Sequence, residues 1–194
     1  DGFFLAEAKT SITPLDENNL IVGTDFGAGS LTKSGYPRVL KLWKRGQAIA
    51  DAQTIFEGNE EDISVSAFHY DYRGRQYTTL HRSLSFFQNE IAFWSPATKS
   101  IQPIPKPTSA SFLGFENGLI FFQLKDELEV GIEGEKRVLG KNSVVAISEH
   151  ANDLSNAEII FTATDRQSIE GVSILHDRVV VSILDNVRGK VLEI

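Results

Sequence analysis

The chain has 194 residues, of which 41% are hydrophobic and 23% charged, and its formal net charge is -7. This composition is typical of a soluble globular protein, and the acidic balance argues against a nucleic-acid partner, which would need a basic face. No apolar run approaches the roughly 18 residues of a membrane-spanning helix. The absence of cysteine excludes a disulfide framework and a thiolate metal site, but it does not distinguish a cytoplasmic from a periplasmic location.

The chain contains no methionine, even at position 1. Because translation starts with one, the sequence is expected to be a processed or truncated chain, or a piece of a longer protein. Its start also lacks the basic region and the long apolar stretch of a signal peptide.

The same pattern occurs four times along the chain: a short strand, a polar turn and an apolar return strand. The four turns lie at residues 16–19, 73–75, 116–118 and 176–178. Asn117-Gly118 is the clearest hairpin signal, because a two-residue type I′ turn needs positive φ at both central positions. Before the first copy, residues 1–5 have the composition of the end of a strand.

Each return strand is followed by further predicted strands that lead to the next copy. The spacing of the copies, about 40 to 60 residues, matches four-stranded β-propeller blades with unequal loops. Helical periodicity is nearly absent, and residues 151–157 fit a turn or two of helix and a loop equally well. The prediction is an all-β chain that forms a partial β-propeller of about four four-stranded antiparallel blades.

A β-sandwich is the competing architecture, because it also contains many short strands joined by turns. Two features favour the propeller. The return strand at residues 179–184 is apolar on both faces, as expected where blades pack on each side. The hairpin pattern also recurs, which a sandwich does not require.

The longest predicted loop lies between the apolar runs 20–22 and 39–43 and is rich in glycine, serine and proline. Gly27-Ala28-Gly29 suggests a dinucleotide-binding fingerprint, but Thr32 stands where the third glycine should be. Gly35-Tyr36-Pro37 then follows instead of a helix. We therefore predict a hairpin loop with special φ angles and no cofactor site.

The sequence of this loop also resembles that of a known protein family. VGTDFGAGSLTKSGYPR (residues 22–38), followed by KLWKRG (41–46), resembles the propeller domain of bacterial prolyl-oligopeptidase-family serine peptidases. SIEGVSILHDRVVVSILDNVRGKVLEI (168–194) and the opening DGFFLAEAKTSITPLDENNL resemble the same domain, and the resemblance is weakest over 88–107. It implies a seven-bladed propeller that caps an α/β-hydrolase domain, holds back large substrates and admits short peptides to a Ser-Asp-His triad.

The chain departs from that family pattern because it contains no Gly-x-Ser-x-Gly nucleophile elbow. Seven blades would also need roughly 300 residues. Residues 1–194 are therefore expected to be a segment of a single propeller domain without the catalytic domain. We expect no catalytic residue in it and no hydrolysis of prolyl peptides by the chain alone, whereas the parent protein would be a serine peptidase that the propeller gates.

The expected partners are the α/β-hydrolase domain of the parent chain, short peptides, and a second copy bound through open blade faces. For the last sheet, the apolar residues assigned to that face are Val179, Val180, Val181, Ile183 and Leu184. A propeller scaffold that binds a protein partner is the alternative function. The Gly-His and Trp-Asp signatures of the commonest such scaffold are absent, which disfavours it.

Few residues stand out as candidates for chemistry. His69, His81, His150 and His176 lack metal-ligand spacing, so no metal site is predicted, and structural roles are favoured for His69 and His176. A second group, the basic cluster, comprises Arg38, Lys41, Lys44 and Arg45. Its alternation with apolar residues favours a solvated strand edge, with attraction of peptide carboxylates as the alternative.

Asp185, Asn186 and Arg188 are predicted to form an Asx-type turn in which the aspartate holds backbone amides. The alternative is that the turn presents Arg188 to substrate or to the hydrolase domain. Arg38 and Arg188 are thus the candidate contacts for substrate or for the interdomain space.

Overall fold

The computed structural model describes residues 2–72, 74–131 and 134–194. The chain divides into two units, Asp1–Pro103 and Ile104–Ile194. The described residues form β-strands, turns and loops, and their only helical element is a single 3₁₀ turn at Ile49–Asp51. Within this part of the chain, no helix has the length and apolarity to cross a membrane.

The first unit contains two four-stranded antiparallel sheets, each built from strands that follow one another in the chain. The strands of the first sheet are β1 (Ser11–Pro14), β2 (Asn19–Gly23), β3 (Val39–Lys44) and β4 (Gln53–Glu57). Those of the second sheet are β5 (Ser64–Tyr72), β6 (Arg75–Ser83), β7 (Asn89–Trp94) and β8 (Ile101–Pro103).

The two sheets of the first unit pack face to face because the second strand of the first sheet is apolar on both sides. Ile21 and Leu40 on one face meet Val65, Leu80 and Trp94 of the second sheet. At the first strands of the two sheets, the buried Thr13 hydroxyl donates to the Ala67 carbonyl at 2.6 Å. β1 and β5 therefore lie side by side at one edge of the packed pair.

The opposite face of the first sheet is covered by the segment that precedes it. Leu20, Val22 and Trp43 lie there, and Phe3 and Leu5 pack against them. The Phe3 ring meets the Trp43 ring edge-on, with centroids 4.9 Å apart. The prediction of a strand end at residues 1–5 is therefore wrong for residues 2–5, which form a covering strap; Asp1 lies outside the described residues.

The second unit contains a four-stranded sheet, a two-stranded ribbon and a three-stranded sheet. The four-stranded sheet comprises β9 (Ser111–Glu116), β10 (Leu119–Gln123), β13 (Ser143–Ser148) and β14 (Glu158–Thr162). The ribbon, β11 (Leu128–Val130) with β12 (Arg137–Leu139), is inserted between β10 and β13 and has no counterpart among the predicted elements. The last sheet comprises β15 (Gln167–Ile174), β16 (Val179–Asp185) and β17 (Arg188–Glu193), and residues 151–157 form a loop.

Side chains along β16 point alternately to the two faces of the last sheet, and this determines which of its apolar residues are buried. Val179, Val181 and Ile183 pack on Phe121 and Ala146 of the neighbouring sheet. The prediction that these three belong to an open face is therefore wrong, since successive side chains of a strand point to opposite sides.

Of the five residues assigned to the open face, Val180 and Leu184 remain on the side away from that core. Val191 of β17 joins them, because it is paired with Ser182 on the same side of the sheet. Val191 is 70% exposed. The open face of the last sheet is therefore Val180, Leu184 and Val191.

The four predicted turns each join two antiparallel strands of a separate sheet. Asn117 and Gly118 have φ of 48° and 77°, as a type I′ turn requires. Arg73, in the second turn, lies outside the described residues. Sheets made of consecutive strands confirm the all-β partial propeller over the sandwich, although the last sheet has three strands rather than four.

The strap gives a direct test of how the first sheet is stabilised. Replacing Phe3 by alanine should lower the free energy of unfolding by about 1–3 kcal/mol, since a half-buried ring and its contact with Trp43 are lost. Phe4 is 85% exposed, so Phe4→Ala is the matched control and should change stability by less than about 0.5 kcal/mol. Urea unfolding of the two variants measures the difference; equal losses would show that the strap does not cover the sheet.

Candidate functional site

The loop between β2 and β3 is closed by its own side chains. The Asp25 carboxylate accepts hydrogen bonds from the Gly27 amide at 2.8 Å and from the Ser30 hydroxyl at 3.2 Å. Gly27 and Gly29 have φ of 104° and 77°, which explains why glycine stands at both positions. The Gly27 amide is thus held by Asp25 rather than presented to a phosphate.

Arg38 anchors this loop to the segment that follows β4. Its Nε donates to the Gly29 carbonyl at 2.6 Å, and its Nη1 donates to the Gly58 carbonyl at 2.8 Å. The carboxylate of Glu57 lies 3.7 Å from the same Nη1. Arg38 is only 19% exposed, so most of its side chain serves the interior of the first unit.

The connection from β4 to β5 is held by a mostly buried ion pair. Arg82 Nε and Nη2 donate to the two oxygens of Asp62 at 2.7 and 3.1 Å, and the Asn59 amide donates to Asp62 at 2.6 Å. Burial acts to raise the pKa of Asp62, but the bonds from Arg82 and Asn59 outweigh it and lower that pKa below its usual value. The pair therefore favours the charged carboxylate in the folded protein.

Further hydrogen bonds join two connections and the end of β6 in the first unit. The Lys33 amide of the β2–β3 loop donates to the Glu60 carbonyl at 2.8 Å, and the Ile63 amide donates to the Ser83 carbonyl at 2.8 Å. The Thr32 hydroxyl also donates a hydrogen bond to the Ile63 carbonyl at 3.1 Å. Hydrogen bonds thus join the β2–β3 loop to the β4–β5 connection, and that connection to the end of β6.

Arg188 has very different surroundings. It opens β17 directly after a two-residue turn in which Asn186 and Val187 have φ of 47° and 68°. The side chain of Arg188 is exposed and makes no hydrogen bond or ion pair with the residues that the structure describes. It lies in the second unit, whereas Arg38 lies in the first.

Among the described residues, no backbone amide donates to the Asp185 side chain, contrary to the sequence prediction. That side chain accepts a hydrogen bond from Lys190 at 2.6 Å and from the Asn186 side chain at 2.8 Å. The bond from Lys190 is the main reason that the pKa of Asp185 lies below its usual value. The positive φ angles of Asn186 and Val187 shape the turn, while the aspartate links Asn186 of the turn to Lys190 of β17.

The basic cluster is divided among structural contacts. Lys41 lies over the Phe26 ring, 4.6 Å from its centroid. Arg45 donates to the Glu17 carbonyl at 3.0 Å and lies 5.0 Å from the centroid of the Phe3 ring. With Arg38 anchored as described, the geometry favours structural roles and a solvated edge over a shared site for peptide carboxylates.

The histidines contact hydroxyl and carboxylate side chains near them. His69 Nδ1 lies 2.9 Å from the Thr78 hydroxyl, within the β5–β6 pair. His176 Nδ1 lies 3.1 Å from Glu116, whose side chain is 7% exposed. These contacts fit the structural roles favoured for both residues. In the described ranges, no group of three or more His, Cys, Asp or Glu residues has an arrangement that could hold a metal ion.

Nearly the whole chain aligns with two known proteins. No family model matches the chain. An uncharacterized peptidase of Sinorhizobium fredii is 33% identical over 200 residues, which cover 98% of this chain and 27% of that protein. An uncharacterized peptidase of Rickettsia prowazekii is 28% identical over 200 residues, which cover 97% of this chain and 27% of that protein.

Solved structures show the same architecture. A post-proline cleaving enzyme from Rickettsia typhi superimposes with a TM-score of 0.79 at 24% identity, over 95% of this chain and 27% of that one. A structure from a study of two prolyl endopeptidases, concerned with interdomain dynamics in catalysis and specificity, gives a TM-score of 0.64 at 11% identity. That match covers 94% of this chain and 26% of the endopeptidase.

The sheets and the superpositions define the chain as a partial β-propeller of the kind found in prolyl endopeptidases. The resemblance to the propeller domain of bacterial prolyl-oligopeptidase-family serine peptidases is thereby confirmed. The chain spans 27% of the length of both curated relatives.

Sequence reasoning did not single out the Asp62–Arg82 pair. The two residues are 20 positions apart and lie in different elements, so no short motif contains them. The only local signal is Gly58, where a Cβ would come within 2.7 Å of the Asp62 carboxylate. A glycine beside an acidic stretch is too common to predict an ion pair.

The ion pair predicts a pH-dependent contribution to stability. Asp62→Asn should lower the free energy of unfolding by about 2–3 kcal/mol at neutral pH, because Arg82 is left mostly buried without its main partner. Glu61→Gln, at an exposed pair with Lys33, is the control and should cost less than about 1 kcal/mol.

The sign of the pH effect follows from the lowered pKa of Asp62. The stabilising contribution of the ion pair is fully present above pH 3.8, the usual pKa of an aspartate. It is lost as the pH falls through the lower pKa that Asp62 has in the folded state. Unfolding curves of wild type and Asp62→Asn should therefore converge on acidification. A difference that stays constant down to the acid transition would contradict this assignment.

Proposed function

We propose that the chain is a non-catalytic propeller segment of a longer prolyl-oligopeptidase-like serine endopeptidase. It would restrict the access of peptides to a catalytic domain outside this chain, where a serine would form the acyl-enzyme. One observation carries the proposal: nearly the whole chain aligns with two peptidases, and the alignment spans only 27% of the length of each.

Restriction by size needs a wall that does not open easily, and the first unit offers one. Its two sheets share a closely packed apolar core, and their first strands are joined by the bond from Thr13 to Ala67. Closely packed sheets resist small displacements, because each gap forfeits many dispersion contacts. An unfolded short peptide can pass beside such a wall, whereas a large substrate would need the sheets to separate.

The junction of β1 and β5 supplies the test in the full-length parent protein. Thr13→Val keeps the side-chain volume but leaves the Ala67 carbonyl without its donor, at a cost of about 1–3 kcal/mol. Cleavage of an unfolded protein such as casein should rise several-fold relative to cleavage of succinyl-alanyl-prolyl p-nitroanilide. The ratio of the two kcat/KM values measures the effect.

Thr54→Val is the matched control, since Thr54 is exposed on the outer strand β4. It should leave the ratio at the wild-type value. A wild-type protein that cleaves both substrates equally well, or a Thr13→Val protein with an unchanged ratio, would contradict gating by this segment.

We further propose Arg188 as the residue of this chain that meets the catalytic domain or a peptide carboxylate. Its exposed side chain, without a partner among the described residues, and its position after a tight turn support this role. Arg38 is less suited, because two of its donors are already bound to Gly29 and Gly58.

The chain on its own is also proposed to self-associate, through the open face of its last sheet. On that face Val191 is exposed, and Val180 and Leu184 are half-buried on either side of Ser182, which makes an apolar stripe with one polar member. The strap covers the outer face of the first sheet. Self-association through this face would give a dimer, because the same patch serves both copies in an isologous contact.

Sedimentation at micromolar concentration tests this association. Val191→Asp should convert a dimer to a monomer, since it places a charge in the stripe. Val138→Asp is the control, because Val138 is 52% exposed on the inserted ribbon. A monomeric wild-type chain, or equal effects of the two variants, would refute self-association through this face.

A further inference from the structure

A pocket of about 370 Å³ opens in the first unit where β1 and β5 begin. It lies at the edge where these two strands run side by side. Its lining combines one cation, one aromatic ring, an apolar floor and several hydroxyls: Lys9, Thr10, Ser11, Tyr36, Pro37, Ser64, Val65 and Ser66.

The floor of the pocket is apolar and fixed. Pro37 is buried and Val65 is 1% exposed, and the Val65 amide donates to the Pro37 carbonyl at 2.9 Å. This bond ties the β2–β3 loop to the first residues of β5. The Val65 side chain packs into the core between the two sheets, so an apolar group of a ligand would meet the Pro37 and Tyr36 rings.

Lys9 is the only charged residue in the lining. Its ammonium lies 4.0 Å above the centroid of the Tyr36 ring and 3.4 Å from the Ser34 carbonyl. An ammonium has three N–H donors, so one carbonyl and a ring face leave capacity for an oxygen of a ligand. The ring and the carbonyl hold the charge at the rim of the pocket.

Three hydroxyls in the lining are half-buried and make no hydrogen bond with the described residues: those of Ser11, Ser64 and Ser66. Thr10 differs from them, because its hydroxyl is paired with that of Thr24 at 2.8 Å. The pocket therefore offers hydrogen-bonding groups that the fold does not use.

We propose that this pocket binds the carboxyl-terminal residue of a short peptide. The side chain of that residue lies against the Pro37 and Tyr36 rings, and its carboxylate pairs with Lys9. A single cation beside an apolar floor suits a monoanion with an apolar flank better than a phosphate, which carries more charge. The identity of the ligand as a peptide rests on the proposed function, while the preference for a carboxylate rests on the pocket.

Binding of a matched pair of ligands to the 194-residue chain tests the inference. The probes are N-acetyl-alanyl-proline and its carboxyl-terminal amide, followed by NMR shifts of the backbone amides of residues 9–11 and 64–66. The acid should shift these amides and bind about fivefold more tightly than the amide, as expected for an exposed ion pair.

Lys9→Gln should weaken binding of the acid about fivefold and leave binding of the amide unchanged. Lys33→Gln is the control, because Lys33 lies in the β2–β3 loop near Tyr36 but outside the lining; it should change neither. Equal affinities for acid and amide, no shifts with either probe, or equal effects of the two lysine variants would overturn the assignment.

The outcome can be separated from that of the gating experiment. Binding to the isolated chain requires no peptidase activity, so it can succeed when gating fails. If the chain gates substrates but does not distinguish the acid from the amide, the proposed function stands and the carboxylate site is wrong.

Discussion

Two-sided burial of β2, the second strand of the first sheet, is the constraint on which the first unit depends. Leu20, Ile21 and Val22 are all nearly inaccessible, and no single packed partner could achieve this, since neighbouring side chains point in opposite directions. The first sheet must therefore be covered on both of its faces. In the first unit a second sheet covers one side and the strap covers the other.

This constraint also explains how polar side chains are used at the ends of the sheets. Connections between packed sheets bring buried backbone groups and charges together, and these need partners. Arg38 satisfies two loop carbonyls, and Asp62 with Arg82 holds the next connection. These three charged residues thus serve mainly to stabilise the connections at the ends of the two packed sheets.

The sequence predicted the hairpins well because both of their signals are local. Polar turn residues and apolar return strands lie within a few positions of each other, as at Asn117-Gly118. It did not distinguish the two faces of β16, since the unbroken apolar run at 179–181 shows no alternation. The strap at Phe3 and the Asp62–Arg82 pair were missed because each depends on a partner distant in the chain, Trp43 in the case of the strap.

The order of the strap and its sheet along the chain has a consequence for synthesis on the ribosome. Phe3 and Leu5 precede the strands that they cover, so the cover has already emerged when β2 and β3 pair. Domains fold from their amino-terminal side as the chain lengthens, and exposed apolar strands are prone to aggregate meanwhile. The nascent first sheet therefore has one of its faces protected before any later sheet has been translated.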